Sequence, residues 1–158
     1  MKTQSISDIQ NLYRELIIEH AHKPRNYRHL KDATHTAEGI NPLCGDKLQL
    51  YIQVDKKKII KDIGFEGSGC AISMASASLL TETIKNLSLI EANNYFISIN
   101  NLLLNKKINS KSSKNIDLSK LKALEGVNQY PMRIKCATLA WHALNSAINK
   151  NSPIVTTE

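Results

Sequence analysis

Three cysteines and one aspartate are the residues of this chain whose types could do chemistry together. Cys44 and Asp46 stand in "NPLCGD", Cys70 ends "EGSGC", and Cys136 falls in "RIKCATLAWHAL". A thiolate is a nucleophile or a soft metal ligand, and three cysteines cannot all pair within one chain. Buried structural thiols, a nucleophile or metal ligands remain as readings. Cys44 fits the first poorly, because a loop position among Pro42, Gly45 and Asp46 has little apolar cover. For Cys70 and Cys136 the plain role of small buried residues on helices stays open.

The surroundings favour thiolates. The "GSG" run lets backbone amides converge just before Cys70, and a helix start there carries partial positive charge that lowers a thiol pKa. Arg133 and Lys135 put positive charge beside Cys136. Gly45 lets the backbone turn so that Asp46 can face the same point as Cys44. Three thiolates and a carboxylate form a four-ligand set that Zn²⁺ takes tetrahedrally, with Zn–S near about 2.3 Å and Zn–O near about 2.0 Å. Iron–sulfur clusters use similar thiolates, usually four. No C-x-x-C pair is present, so spacing alone does not choose between these readings. His20 and His142 lie on helices near apolar faces and read as satisfied or surface residues. His22, His29 and His35 become ligands only if the irregular segment that holds them folds back over the site.

The elements that must position these residues follow from periodicity. Residues 7–22 form an amphipathic helix, opened by Ser7 and Gln10 at capping-box spacing and stopped by Pro24. Residues 25–41 lack periodicity and read as a long surface connection. From Leu48 the period becomes two: Leu48, Leu50, Ile52 and Val54 share one face. "DKKK" then turns the chain, and Ile59, Lys61, Ile63 and Phe65 share one face of the return strand. The two ends of this hairpin place Cys44 and Cys70 at one edge of the sheet. Residues 70–86 are a helix rich in Ala and Ser, small enough to sit centrally. Ser88 and Glu91 open a third helix that runs to about Leu104, by the same capping logic. The polar stretch 105–117 reads as a flexible loop, its Lys-rich part 105–114 of undecided role. Asp117 can cap a short helix ending at Gly126. Pro131 starts a final helix that carries Cys136 in its first turns. The fold class is α+β: a small antiparallel sheet, the hairpin plus an edge strand, packed by about five helices.

Composition sets the outer limits. With 158 residues, 42% of them apolar, the chain suits one domain, read here as residues 1–150 with a flexible tail at 151–158. The N-terminus is polar and no long apolar run occurs, so the expectation is a soluble cytoplasmic protein with no membrane partner. A formal charge of +7 invites nucleic acid or an acidic protein surface. Aromatic residues make up only 5%, which leaves few rings for stacking bases, and no helix has a continuous basic face; nucleic acid is disfavoured.

"NPLCGD", "FEGSGCAISMASASLLTE" and "RIKCATLAWHAL", preceded by "LYRELIIEHAHKPRN", resemble the U-type iron–sulfur assembly family over residues 12–148. Lys135 stands where IscU-like scaffolds place a histidine, and the interval from Cys70 to Cys136 is longer than theirs. Both features make the chain similar to the SufU branch. The resemblance implies zinc held by Cys44, Asp46, Cys70 and Cys136, with an iron–sulfur cluster as the alternative cofactor. It further implies that Cys44 accepts persulfide sulfur from a SufS-like cysteine desulfurase, loosening from the metal as the partner docks, and that downstream Suf assembly proteins receive it. Arg133 and Lys135 are implied contacts for the partner or the persulfide. Assembly of a cluster on this chain as a scaffold is the alternative activity.

Overall fold

A computed structural model describes residues 6–106, 116–150 and 153–157. Helix α1 (Ile6–His22) leads to strand β1 (His35–Asn41), the hairpin β2 (Asp46–Val54) and β3 (Ile60–Ser68), then helices α2 (Ala71–Ile84) and α3 (Leu89–Leu103). A 3₁₀ helix (Leu121–Gln129), helix α4 (Pro131–Asn149) and strand β4 (Ile154–Thr156) complete the chain. The architecture is α+β, as the patterning implies. The sheet order is β3-β2-β1-β4, antiparallel except for the parallel β1–β4 edge.

Four local expectations change. The segment 35–41 is a strand and not a surface connection, and it lies inside the sheet, between β2 and β4. Its buried positions Ala37, Gly39 and Asn41 alternate with less buried ones, a period hidden because none of the three is a branched apolar residue. The C-terminal segment, read as a frayed tail, contributes β4, which pairs Glu38, Gly39 and Ile40 with Ile154, Val155 and Thr156. In β3 the inward residues are Ile60, Ile63 and Phe65, while Lys61 points to solvent. A register irregularity at Gln53/Val54 pairs Val54 with Ile60 and Gln53 with Asp62, and the extra residue moves Lys61 out of the face it would otherwise share with Ile63. Finally, Asp117 caps no helix; its Oδ1 accepts the Ser119 N–H at 2.9 Å in the turn ahead of the 3₁₀ segment. Most of the 105–117 stretch lies outside the described residues.

Other elements form as their residues dictate. Ser88 and Glu91 make a reciprocal capping box on α3, and Pro131 occupies the first turn of α4. In the hairpin turn Asp55 Oδ1 accepts the N–H groups of Lys57 and Ile59. The stretch after α1 runs along the outer edge of β3: the Phe65 N–H donates to the Asn26 carbonyl and the Arg28 N–H to the Phe65 carbonyl, and Arg28 pairs with Asp62.

One contiguous core joins Leu48, Leu50 and Ile52 of the sheet to Leu79 and Leu80 of α2 and to Leu139, Trp141 and Leu144 of α4. Helix α2 is central because Ser73, Ala75, Ser76, Ala77 and Ser78 are all buried and let α1 and α4 approach from either side. Ser76 Oγ donates to the Ala137 carbonyl at 2.5 Å and accepts the Trp141 Nε1–H at 3.2 Å, which fixes α4 against α2 next to Cys136. Toward α1, Ser78 Oγ bonds His20 Nδ1 at 2.7 Å and accepts the Arg25 N–H at 2.8 Å.

Burial, the leading cause in each case, holds His20, His35 and His142 below the ordinary imidazole pKa. The unfolded chain therefore takes up protons first, so stability is complete above the unfolded value near about 6.5 and declines as pH falls through it toward the lowered folded values. Thermal melts should show a lower Tm at about pH 5.5 than at about pH 7.5, on either side of that imidazole value. In His142→Leu, which replaces a ring packed edge-on against Phe96 by an apolar side chain, the difference should narrow. An unchanged difference would exclude His142 from the effect.

Candidate metal centre

The period-two pattern of β2 carries Asp46 to the site. Asp46 opens the strand in phase with Leu48, Leu50 and Ile52, so its carboxylate points to the buried face and is 1% exposed. Asp46 Oδ1 accepts the backbone N–H of Cys70 at 2.8 Å. Oδ2 accepts from Asn41 Nδ2 at 3.1 Å. The strand pairing puts Asn41 directly opposite Asp46, so the loop 42–45 that carries Cys44 springs from a cross-strand pair.

Two glycines are needed for this geometry. Gly45 takes φ 70°, a left-handed conformation that brings the chain from Cys44 into Asp46. A Cβ on Gly69 would lie 2.6 Å from Asp46 Oδ1, so only glycine lets the N-cap of α2 close on the carboxylate. Cys70 is that N-cap, with φ −70° and ψ 166°.

Cys136 comes from the opposite side, two turns into α4, and is fully buried. Ligand atoms of Cys44, Asp46 and Cys136 all lie within 4.8 Å of one another. The edges of a tetrahedral zinc site are about 3.8 Å for Zn–S bonds of about 2.3 Å, so this trio fits a metal ion with little adjustment. Cys70 borders the trio: its thiol interacts with that of Cys136, but it falls outside the mutual 4.8 Å limit and must draw inward to become a fourth donor. The cysteines are unpaired, Cys44 and Cys70 half-buried.

Electrostatics at Cys136 run against the expectation that its surroundings favour a thiolate. Burial first, and then the neighbouring Cys44 and Cys70, push the Cys136 thiol far above its ordinary value. Burial beside the Asp46 carboxylate and two further thiols resists an anion, and a bound cation reverses the balance by deprotonating a coordinating thiol outright. The Arg133 guanidinium is solvent-exposed yet set toward the sulfurs. Its already high pKa is raised further, by Cys136 foremost and then by Cys70 and Cys44. Lys135 instead lines a cavity of about 610 Å³ with Ile134, Thr138, His142 and Thr157, between α4 and the C-terminal strand. Among the described residues no histidine joins the cluster: His20 bonds Ser78, His22 ends α1, His29 packs edge-on against Tyr51, His35 bonds Thr34 and His142 packs against Phe96.

Asn41 is the site residue that the sequence reading did not single out. It is fully buried, and its Nδ2 lies within hydrogen-bonding reach of both Asp46 and, at 3.4 Å, Cys136 Sγ. Its place in the Ala37, Gly39, Asn41 alternation shows only once the strand register is known.

The chain is similar to known proteins over most of its length. Residues 12–156 match the family model described as the NifU-like N terminal domain. The chain is 38% identical over 144 residues to the zinc-dependent sulfurtransferase SufU of Bacillus subtilis, covering 91% of this chain and 94% of that one. It is 32% identical over 148 residues to the iron–sulfur cluster assembly scaffold protein IscU of Streptococcus pyogenes, covering 94% and 89%. The crystal structure of FiSufU, a SUF-system protein of Fervidobacterium islandicum, superposes with a TM-score of 0.77 at 32% identity, covering 85% of this chain and 94% of that one. With its cysteines in order around one buried carboxylate and the match running almost end to end, the chain belongs to the NifU-like N-terminal domain family, in the company of SufU and IscU proteins.

Proposed function

We propose that this chain is a zinc-dependent sulfur acceptor, holding the ion with Cys44, Asp46, Cys70 and Cys136 and taking persulfide sulfur from a SufS-like cysteine desulfurase for iron–sulfur cluster biogenesis. The observation that carries the reading is the unequal anchoring of the donors. Asp46 and Cys136 are buried, Cys70 is tied at the N-cap of α2, and Cys44 rides a short loop whose neighbours Pro42, Leu43 and Gly45 are all exposed. The sulfurtransferase name of the Bacillus subtilis relative supports the same choice.

Bound zinc supplies deprotonation of the ligating thiols at neutral pH. Cys44 Sγ, as thiolate, attacks the outer sulfur of the desulfurase persulfide. A new S–S bond forms on Cys44, the S–S bond of the donor breaks, and the electron pair leaves on the donor cysteine as thiolate; no net oxidation occurs. Arg133, exposed and set toward the sulfurs, offsets the negative charge that the persulfide carries. Lys135, on the adjoining cleft, meets the partner and not the sulfur. Leu43, Tyr130 and Met132, exposed by 57%, 60% and 55%, are chain neighbours of the site and give a docking partner apolar surface. Among the described residues no helix is long and apolar enough to cross a membrane, and the three free thiols suit the reducing cytoplasm in which we place the protein. Downstream Suf assembly proteins would take the sulfur onward.

Metal analysis with a visible spectrum, on protein purified without added metal, should give about one zinc per chain and no colour, as a single tetrahedral site requires. Iron with sulfide and a brown solution would favour the scaffold reading and withdraw the zinc ligation. Cys44→Ala should leave the fold intact, because the residue sits on an exposed loop, and should abolish both stimulation of a SufS-like desulfurase and persulfide labelling of the chain. Stimulation at the wild-type rate by that variant would end the acceptor mechanism.

A further inference from the structure

We propose that Asn41 is a positioning residue of the metal centre: its buried carboxamide holds Asp46 and Cys136 at one ligating distance and prepares both to bind a cation. The inference rests on the metal-site reading above and adds a residue that is not itself a ligand.

Three observations carry it. Asn41 is 0% exposed, at the end of β1 where the register sets it opposite Asp46. One Nδ2 group faces two acceptors that the fold brings from different elements, Asp46 Oδ2 on β2 at 3.1 Å and Cys136 Sγ on α4 at 3.4 Å. The other end of the amide, Oδ1, is buried and has no hydrogen-bond partner among the described residues. A side chain chosen only to fill this position in the strand would not bring an unpaired carbonyl oxygen into the interior. Rotating the amide by half a turn does not resolve it, because that would set Oδ1 against the acceptor-only Asp46 carboxylate and take both donated bonds away.

The chemistry of a metal–thiolate site explains the arrangement. A donated N–H steadies charge on a ligating sulfur and fixes the orientation of a ligating carboxylate, and partners of this kind strengthen metal binding. With Oδ2 held by Asn41 and Oδ1 by the Cys70 N–H, Asp46 has no freedom to swing from the centre. The carboxamide thus joins three elements at the position where the ligand loop leaves β1.

The test uses the full chain and two probes, Zn²⁺ alone by competition with a chromophoric chelator and Co²⁺ alone by its visible absorption. Asn41→Leu conserves volume, removes the donor and also removes the unpaired oxygen. The metal-free variant should stay folded but melt below the wild-type temperature, because Asp46 Oδ2 loses its buried donor, while its zinc affinity falls by about 10- to 100-fold and the Co²⁺ bands shift, as loss of a ligand-orienting partner predicts. Asn41→Ser, too short to reach both acceptors, should lose affinity likewise and serves if the leucine variant does not fold. Unchanged affinity and an unchanged Co²⁺ spectrum in either folded variant overturn the proposal. So does failure of both variants to fold, which would make Asn41 a structural residue. Wild-type protein that binds neither ion would instead refute the metal-site reading on which the proposal stands.

Discussion

Both oxygens of one buried carboxylate are taken by partners from other elements, and the site depends on that. Asp46 Oδ1 receives the Cys70 N–H and Oδ2 the Asn41 amide. An acceptor buried this deeply is tolerated only with such bonds, so the start of β2, the end of β1 and the N-cap of α2 must stay together for the hairpin to fold as it does. The two thiols at the ends of the hairpin are thereby placed by the strand pairing and by the Asp46 bond to Cys70, before any metal is considered. The same bonds explain why Gly69 cannot carry a side chain, since its Cβ would occupy the approach path to Oδ1.

The third thiol arrives by a different mechanism. Cys136 is set by packing: the small residues of α2 admit α4 closely, and Ser76 locks the two helices through the Ala137 carbonyl and the Trp141 indole. The register of α4 along the sheet then follows from bulk, with Leu139 against Gly39 of β1. The centre is therefore assembled from a hydrogen-bonded half, the hairpin and the α2 cap, and an apolar half, the α2–α4 contact. Volume changes in the core move one side of the site and polar substitutions move the other.

Much of this was legible in the sequence, and the parts that were not have physical reasons. The hairpin, the central Ala/Ser helix, the capping box of α3 and the first-turn Pro131 follow from period and local chemistry, which act over a few residues. Cys136 meets Cys44 and Asp46, in keeping with its early position in the last helix, whereas Cys70, expected beside Cys44 from hairpin closure, only borders the trio. Strand β1 was hidden because its inward residues Ala37, Gly39 and Asn41 are small or polar, carrying no apolar alternation. Strand β4 was hidden because three residues pairing with a distant strand leave no periodic trace. Asn41 was missed for a related reason: an asparagine before a proline reads as a turn, and only the strand register shows that it faces inward.

The distribution of burial among the donors separates holding a metal from handling sulfur. If all four were as buried as Asp46 and Cys136, the centre would be a closed structural one, inert toward an incoming persulfide. If all were as open as the Cys44 loop, three thiols would have no fixed geometry and nothing to distinguish one of them as the acceptor. Of the proposed donors, three belong to a strand and two helices, whereas Cys44 belongs to a turn that bends at Gly45 with φ 70°. A ligand on a loop can leave and return at less cost than one on a packed helix, because few buried contacts move with it. Under the proposed function, that asymmetry would let Cys44 serve in turn as ligand and as nucleophile, with Arg133 exposed beside it to meet the charge that arrives.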